Sequence, residues 1–355
     1  IFAERLLHNP DEIKTGAGDP YQVFTPFWRK LKATVEISVP LKSPARIVAP
    51  DTWPDSLEVE DLDLTPIAQD GVDWATSMRS YWMPTEVTAQ NQLDAFVDEL
   101  LSRYSEDRNR PDIYGSSSLS PYLHHGLLSP RQVWDRVKTY TEETGQEKSA
   151  EVYLSEIGWR EFAYHVLWHF PDLPEKPLKE KFESFDWARD SETFHRWQKG
   201  LTGYPIVDAG MRQLWALGWM HNRVRMIVGS FLTKHLLVPW QDGEKWFWDT
   251  LVDADLANNA MNWQWVAGCG PDAQPFFRIF NPITQGERYD PNGDYVRKWV
   301  PELRDVPTSC IHKPWEAPES LLASSGVILG ESYPKPVVDH KEARQRALKA
   351  YERIK

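Results

Sequence analysis

The sequence predicts a mainly α-helical body entered through an extended segment, and three observations carry that prediction. From Thr88 onward, Leu93, Phe96, Val97, Leu100 and Leu101 recur at the i, i+3, i+4, i+7 spacing of one helix face. Ser120-Pro121 and Ser129-Pro130 each set a capping hydroxyl before a proline at a first helical position, and Ser129 with Gln132 forms a capping box. Upstream, Pro40, Pro44, Pro50, Pro54 and Pro66 exclude long helices up to about Gly71.

In chain order, Ile1–Leu7 reads as a short helix or strand with no preceding partner, and an opening Ile where a Met would stand reads as a chain lacking its start. Gly16, Gly18 and Pro20 make a turn before the segment Tyr21 to Trp28. Residues 31–85 are expected to be mainly an extended connector, and helices dominate from residue 86 to the end. Tyr204-Pro205 opens one of them. The Lys-, Arg- and Glu-rich residues after His340 read as a solvated terminal helix, and neither an internal repeat nor a low-complexity tract is present.

Hydrophobic residues make up 41% of the 355, enough for one large core or two smaller ones. The longest apolar stretch, Met226 to Trp240, carries Lys234 and His235 in its middle, so it falls short of the roughly 20 apolar residues of a membrane span. Two cysteines, Cys269 and Cys310, provide neither a disulfide framework nor a four-ligand zinc set, and a reducing cytoplasm is expected. The net charge of −12 means that any nucleic-acid role must use a local basic surface. The 18 tryptophans supply core area, and also platforms on which rings can stack.

Four runs carry chemistry. Gly115 to Pro121 places Ser116, Ser117, Ser118 and Ser120 at a helix start, where hydroxyls and free N–H groups hold a phosphate; an ordinary capped loop has the same composition. Glu156, Trp159 and Arg160 share one helix face, so a carboxylate, an aromatic plate and a guanidinium point into one space; an i,i+4 surface ion pair is the plainer reading, but it leaves the tryptophan exposed. Asn222 and Met226 lie one turn apart with Arg225 beside them and Val224, Ile227, Val228 and Phe231 as apolar packing, a pattern that an amphipathic helix edge also produces.

The most unusual run is Asp253 to Trp265, in which Asp255, Asn259 and Trp263 form one helical stripe. Two carboxylates suit Mg²⁺, yet no third acid stands at suitable local spacing, and no metal site is expected. An acid able to pair Arg225, beside an amide able to meet a ring nitrogen, suits a heteroaromatic cofactor better. His165 and His169 have metal-ligand spacing without the glutamate of a metalloprotease helix and are expected to be structural or surface residues. Neither a dinucleotide-binding glycine fingerprint nor a phosphate-binding P-loop is present.

These runs resemble the DNA photolyase and cryptochrome family over essentially the whole chain. The matching strings are Val23-Phe24-Thr25-Pro26-Phe27-Trp28-Arg29, Leu119-Ser120-Pro121-Tyr122-Leu123, Trp159-Arg160-Glu161-Phe162, Thr202-Gly203-Tyr204-Pro205-Ile206-Val207-Asp208-Ala209, Gly218-Trp219-Met220-His221-Asn222-Arg223 and Arg278-Ile279-Phe280-Asn281-Pro282. The resemblance implies a helical FAD-binding domain at 86–355, a linker at 31–85, and at 1–30 the tail of an α/β domain that usually carries an antenna chromophore of folate or deazaflavin type. It implies that Tyr104, Ser116, Ser117, Ser118, Leu119, Ser120, Tyr153, Arg160, Arg225, Asp253, Asp255 and Asn259 hold one FAD, with Asn259 at the flavin N5 and Arg225 paired to Asp253.

For catalysis the resemblance implies a light-driven lyase in which reduced flavin passes an electron to a cyclobutane pyrimidine dimer that has been flipped out of DNA. Glu156 would donate a hydrogen bond or proton to the dimer, Trp159 and Trp265 would wall it, and Asn222 and Met226 would complete the contacts. Arg223, Arg278 and Gln285 would meet the DNA backbone, and Trp187, Trp240 and Trp263 would relay electrons from the surface. Many relatives carry Thr-Ser-Arg-Leu-Ser where this chain has Ser116-Ser117-Ser118-Leu119-Ser120, so Ser118 removes one positive charge near phosphate. The partner expected is DNA containing pyrimidine dimers, bound by a monomer in the bacterial cytoplasm and nucleoid. The rival within the family is a cryptochrome, a flavin light sensor; Glu156 together with Met226 favours dimer repair.

Overall fold

The computed structural model describes residues 5–62, 64, 73–273 and 275–355. Ile1 to Glu4, Pro66 and Gly71 therefore lie outside the described residues, and of the expected opening element only Arg5 to Leu7 remains, as part of a turn. Among the described residues helices and turns account for the architecture, and the one β pairing is an isolated bridge between Leu329 and Tyr333.

The first helix, α1 (Phe24–Thr34), has an apolar face of Phe24, Phe27, Trp28 and Leu31 that is buried against the body. It runs past residue 30, and α2 (Thr76–Tyr81) forms near the far end of the stretch expected as connector, so that stretch is helical at both ends; of its described residues between, 36–58 lack helix and strand and Val59–Leu62 form a single 3-10 turn. The prolines explain the part without helix. The anchoring at α2 is aromatic: Trp74 stacks on Trp215 with centroids 5.8 Å apart, and Trp82 Nε1 donates to the Leu217 carbonyl at 2.7 Å.

Next come α3 (Glu86–Ala95), followed without a break by a π-turn at Phe96–Leu100, and the short α4 (Tyr104–Asp107) and α5 (Ser120–His124). In α5 the expected capping hydroxyl is not a cap: Leu119 holds the N-cap position, Ser120 is the first helical residue, and its Oγ accepts instead from Trp219 Nε1 at 3.2 Å. The capping box does form at α6 (Pro130–Thr144), where the Gln132 N–H donates to Ser129 Oγ at 3.2 Å and the Ser129 N–H to Gln132 Oε1 at 2.8 Å.

The long α7 (Glu147–His169) contacts α1, α4, α6 and a later helix, and is the spine of the fold. After α8 (Ser191–Gln198), α9 (Pro205–Leu217) opens at Tyr204-Pro205 as expected and closes on Gly218 in the left-handed conformation (φ +63°). Then follow α10 (Asn222–Ser230) with a π-turn at Phe231–His235, α11 (Trp240–Thr250), α12 (Leu256–Ala267), α13 (Pro282–Tyr289), α14 (Asp294–Trp299), α15 (Glu319–Ser324) and α16 (His340–Glu352). The terminal helix α16 is not solvated all round. Ala343, Ala347 and Ala350 are buried, and His340 Nδ1 lies 2.8 Å from His235 Nε2.

The apolar side chains form two clusters. One gathers residues of α1, α3, α6 and α7 with Ala257, Ala260 and Met261 of α12; the other gathers α9 to α11, the rest of α12 and the C-terminal segments. Because α12 packs on both α7 and α11, it is the seam between the clusters. No helix among the described residues is long and apolar enough to cross a membrane.

Candidate functional site

A cavity of about 510 Å³ opens along this seam, a size usual for a small-molecule site. Four segments far apart in sequence wall it: Tyr104 with the Ser116 to Ser120 loop, one face of α7, the start of α10, and Asp253 with α12. Every residue expected at the cofactor or lesion lines it, including Tyr153, Glu156, Trp159 and Arg160 from α7, Asn222, Arg225 and Met226 from α10, and Asp255, Asn259, Trp263 and Trp265 from the α12 run. Trp187, Trp240, Arg278 and Gln285 stand away from its wall.

Helical periodicity brings the α7 group together, and tertiary contacts then assign each member a partner. Glu156 does not pair with Arg160. Its Oε1 lies 2.7 Å from Arg108 Nη2, and Arg108 in turn sits over the Tyr104 ring. Burial raises the Glu156 carboxyl above its ordinary range, against the pull of Arg108 and Arg223. Arg160 is drawn the other way: its Nη1 donates to the Arg5 carbonyl at 2.8 Å and to Glu161 at 3.4 Å, and its guanidinium lies over Tyr164. Trp159 stacks on Phe24 with centroids 3.9 Å apart and planes 11° from parallel, so one indole face is covered and the ring turns its other side to the cavity.

On the opposite wall Arg225 Nη2 lies 2.8 Å from Asp253 Oδ2, and its Nε donates to the Met220 carbonyl at 2.7 Å. The second oxygen of Asp253, Oδ1, is buried and has no hydrogen-bond partner among the described residues. Such an orphan acceptor in a cavity wall asks for a ligand N–H or O–H, because leaving it unmet costs about 1–3 kcal/mol. Asp255 caps α12, accepting from the Asn258 N–H at 2.9 Å, from Asn258 Nδ2 at 2.7 Å and from the Tyr164 hydroxyl. Burial alone pulls its carboxyl up, but these hydrogen bonds prevail and hold it below the usual range.

Asn259 is oriented by α11. Its Nδ2 donates to the Glu244 carbonyl at 2.9 Å and to Glu244 Oε1 at 3.0 Å. Both amide hydrogens are thus committed, which leaves Oδ1 as the end able to accept from a ring N–H. In the serine loop, Ser117 Oγ accepts from the Tyr153 hydroxyl at 3.1 Å, and Ser118 adopts the left-handed conformation at φ +52°. The donor set therefore fits FAD: hydroxyls and a left-handed turn at one side, and a clamped acid, an orphan carboxylate oxygen and an oriented amide at the other.

Arg223, expected at the DNA backbone, is turned inward. Its Nε and Nη2 donate to Asn109 Oδ1 at 3.2 and 2.6 Å, and it packs on Tyr289. These partners are neutral, so the guanidinium keeps its charge beside the cavity, while burial lowers its pKa. Arg278 is exposed and Gln285 half-buried on α13. Of the tryptophans expected to relay electrons, Trp263 lines the cavity, Trp240 is buried at the start of α11, and Trp187 is half-buried against Phe185. Gly243 admits Trp263, since a Cβ there would stand 2.2 Å from its ring. His165 is structural, its Nε2 accepting from the Tyr21 N–H at 3.0 Å, and no three metal-ligating side chains converge among the described residues.

Sequence reasoning missed Arg108, Tyr164 and Glu244. Arg108 stands four residues after Tyr104, and Tyr164 four after Arg160, so both were within reach of the helical period. Glu244 carries no local signal, because it meets Asn259 only through the packing of α11 on α12.

Residues 153–353 match the family described as the FAD binding domain of DNA photolyase, and residues 1–45 the family described as DNA photolyase. The chain is 51% identical over 354 residues to a deoxyribodipyrimidine photo-lyase of Agrobacterium fabrum, spanning 73% of that protein. It is 39% identical over 352 residues to cryptochrome-1 of Arabidopsis thaliana, spanning 51% of it. A crystal structure of a bacterial class III photolyase from Agrobacterium tumefaciens superposes with a TM-score of 0.95 at 51% identity, covering 99% of this chain and 72% of that one.

Proposed function

Because this chain belongs to the DNA photolyase and cryptochrome family, we propose that it is a light-driven, FAD-dependent lyase that splits cyclobutane pyrimidine dimers in DNA. The observation that carries this reading is the placement of Glu156 and the open face of Trp159 on the same cavity as Asp253 and Asn259. A ligand stacked on Trp159 thus shares one enclosure with the group that Arg225, Asp253, Asp255 and Asn259 are built to hold. Reduced FAD supplies the electron, under light.

The chain's own residues do the rest. Trp159 and Trp265 hold the flipped pyrimidines by stacking, worth about 1–3 kcal/mol per base. Glu156, whose carboxyl burial pushes above its ordinary range, donates a hydrogen bond from its neutral form to a pyrimidine carbonyl and stabilises the negative charge that develops there. Arg108 fixes the direction of that carboxyl. Arg278, which is exposed, would meet phosphate, and Arg223 would do so on releasing Asn109; such contacts position the duplex without reading its sequence. Trp263, Trp240 and Trp187 form the route by which external donors reduce the cofactor.

The signalling reading rests on the 39% identity to a plant cryptochrome. The two separate on one experiment: FAD-loaded, chemically pre-reduced protein is mixed with a duplex holding a single thymine dimer, binding is measured in the dark and splitting under light. We expect splitting, and a lower yield per absorbed photon for Glu156→Ala at unchanged FAD content. Bound dimer that survives illumination would exclude the lyase.

A further inference from the structure

Helix α1 lacks a cap of its own: its N-cap residue is Val23, which has no side chain able to accept a hydrogen bond. The cap comes from 248 residues away, where Asp272 Oδ2 accepts from the Phe24 N–H at 3.3 Å while the Asp272 N–H donates to the Gln22 carbonyl at 2.9 Å. Asp272 sits at φ +43°, a left-handed conformation uncommon outside glycine, and it places a carboxylate at the positive end of a helix dipole. Six residues further along the chain, the Arg278 carbonyl accepts from Lys234 Nζ.

What this clasp holds in place is an aromatic ladder. Phe24 covers the back face of Trp159, and Trp28 lies behind Phe24 with centroids 6.2 Å apart and planes 14° from parallel. Trp134 closes the far end edge-on at 5.9 Å. The ladder can lie against α7 only because residue 158 is glycine, where a Cβ would stand 2.6 Å from the Trp28 ring. An indole backed on one face by a fixed ring has a single position and a single face to offer a ligand.

We infer that Phe24 and Asp272 are positioning residues for lesion recognition: Asp272 fixes Phe24, and Phe24 fixes Trp159 as the stacking wall for the flipped pyrimidines. This rests on Trp159 being that wall, as proposed above.

The test uses the FAD-loaded chain and equilibrium binding in the dark to a duplex with one thymine dimer and to the same duplex undamaged. Phe24→Leu should lose roughly two- to tenfold in affinity for the dimer duplex, the range that an aromatic pair is worth, with FAD content and affinity for the undamaged duplex unchanged. Phe24→Tyr, which keeps the ring, should restore the preference. Asp272 is exposed, so Asp272→Ala leaves the core intact; it should show the same selective loss, and the double variant should lose less than the sum of the two. Wild-type selectivity in both single variants, or equal losses on the two duplexes, would overturn the inference while leaving dimer repair standing. A wild-type chain without preference for the dimer duplex would overturn the repair reading and this inference with it.

Discussion

Arg108 Nη2 lies 2.7 Å from Glu156 Oε1, and this ion pair stands in the wall of the cavity with part of each side chain still open to it. Of the groups that lower the raised Glu156 carboxyl, Arg108 is the strongest. Arg108→Ala should therefore move the Glu156 pKa further up, so that its neutral, hydrogen-donating form survives to higher pH. The pH midpoint of dimer splitting by pre-reduced protein should shift upward in the variant, and Arg108→Ala should cause no such shift in a Glu156→Gln background. A midpoint that does not move would mean that Glu156 plays no part in the pH profile.

Asp253→Ala leaves Arg225 without its carboxylate and removes the orphan oxygen from the wall. The Asp253 side chain is almost wholly buried but that of Arg225 is 25% exposed, so the stability loss should be about 1–3 kcal/mol, below that of a fully buried broken pair. FAD content, read from absorbance after denaturation, should fall well below one per chain. Full FAD content in a folded variant would count against the assignment.

The parts of the site that were legible in the sequence are those set by local periodicity. Glu156, Trp159 and Arg160 had to share a face of α7, and Asp255, Asn259 and Trp263 a stripe at α12, whatever packs against them. Their partners were not legible in that way. The period that suggested an Arg160 pair for Glu156 could not weigh it against Arg108, and Ser120 looked like a cap until Trp219 claimed its hydroxyl. The same limit explains the termini. The charged residues after His340 read as solvated, yet their alanines form a buried stripe, because small residues let α16 settle on the Phe231–His235 turn.

The relay proposed through Trp263, Trp240 and Trp187 leads to a kinetic prediction. Trp187 is the half-buried member, so Trp187→Phe should slow light-driven reduction of oxidised FAD by external donors severalfold or more. Repair by chemically pre-reduced protein does not need that route and should stay near wild type. Transient absorption separates the two. Equal losses in both assays would make Trp187 a packing residue and sink the relay.

Lys234 lies in the middle of an apolar run, and the structure buries it there: its Nζ donates to the Arg278 carbonyl at 3.2 Å and stands 5.4 Å from the Phe276 ring. No carboxylate pairs with it among the described residues, and burial pushes its pKa down from 10.5 to about 7. The sign of the consequence follows from proton counting. Between pH 7 and 10 the unfolded chain keeps the lysine proton while the native chain has released it, so unfolding takes up a proton and stability rises with pH. Below pH 7 both states are protonated and the cost of the buried charge, on the order of a few kcal/mol, is present in full; above it the cost falls away as the pH nears the unfolded value. Lys234→Met removes the charge and keeps most of the volume. It should stabilise the fold most below pH 7, by an amount that shrinks as pH approaches 10. Urea midpoints for the two proteins at pH 6, 8 and 9.5 measure this directly, since titration of every other group cancels in the difference. A difference independent of pH would mean that Lys234 keeps an ordinary pKa, its charge reaching water through the Arg278 loop.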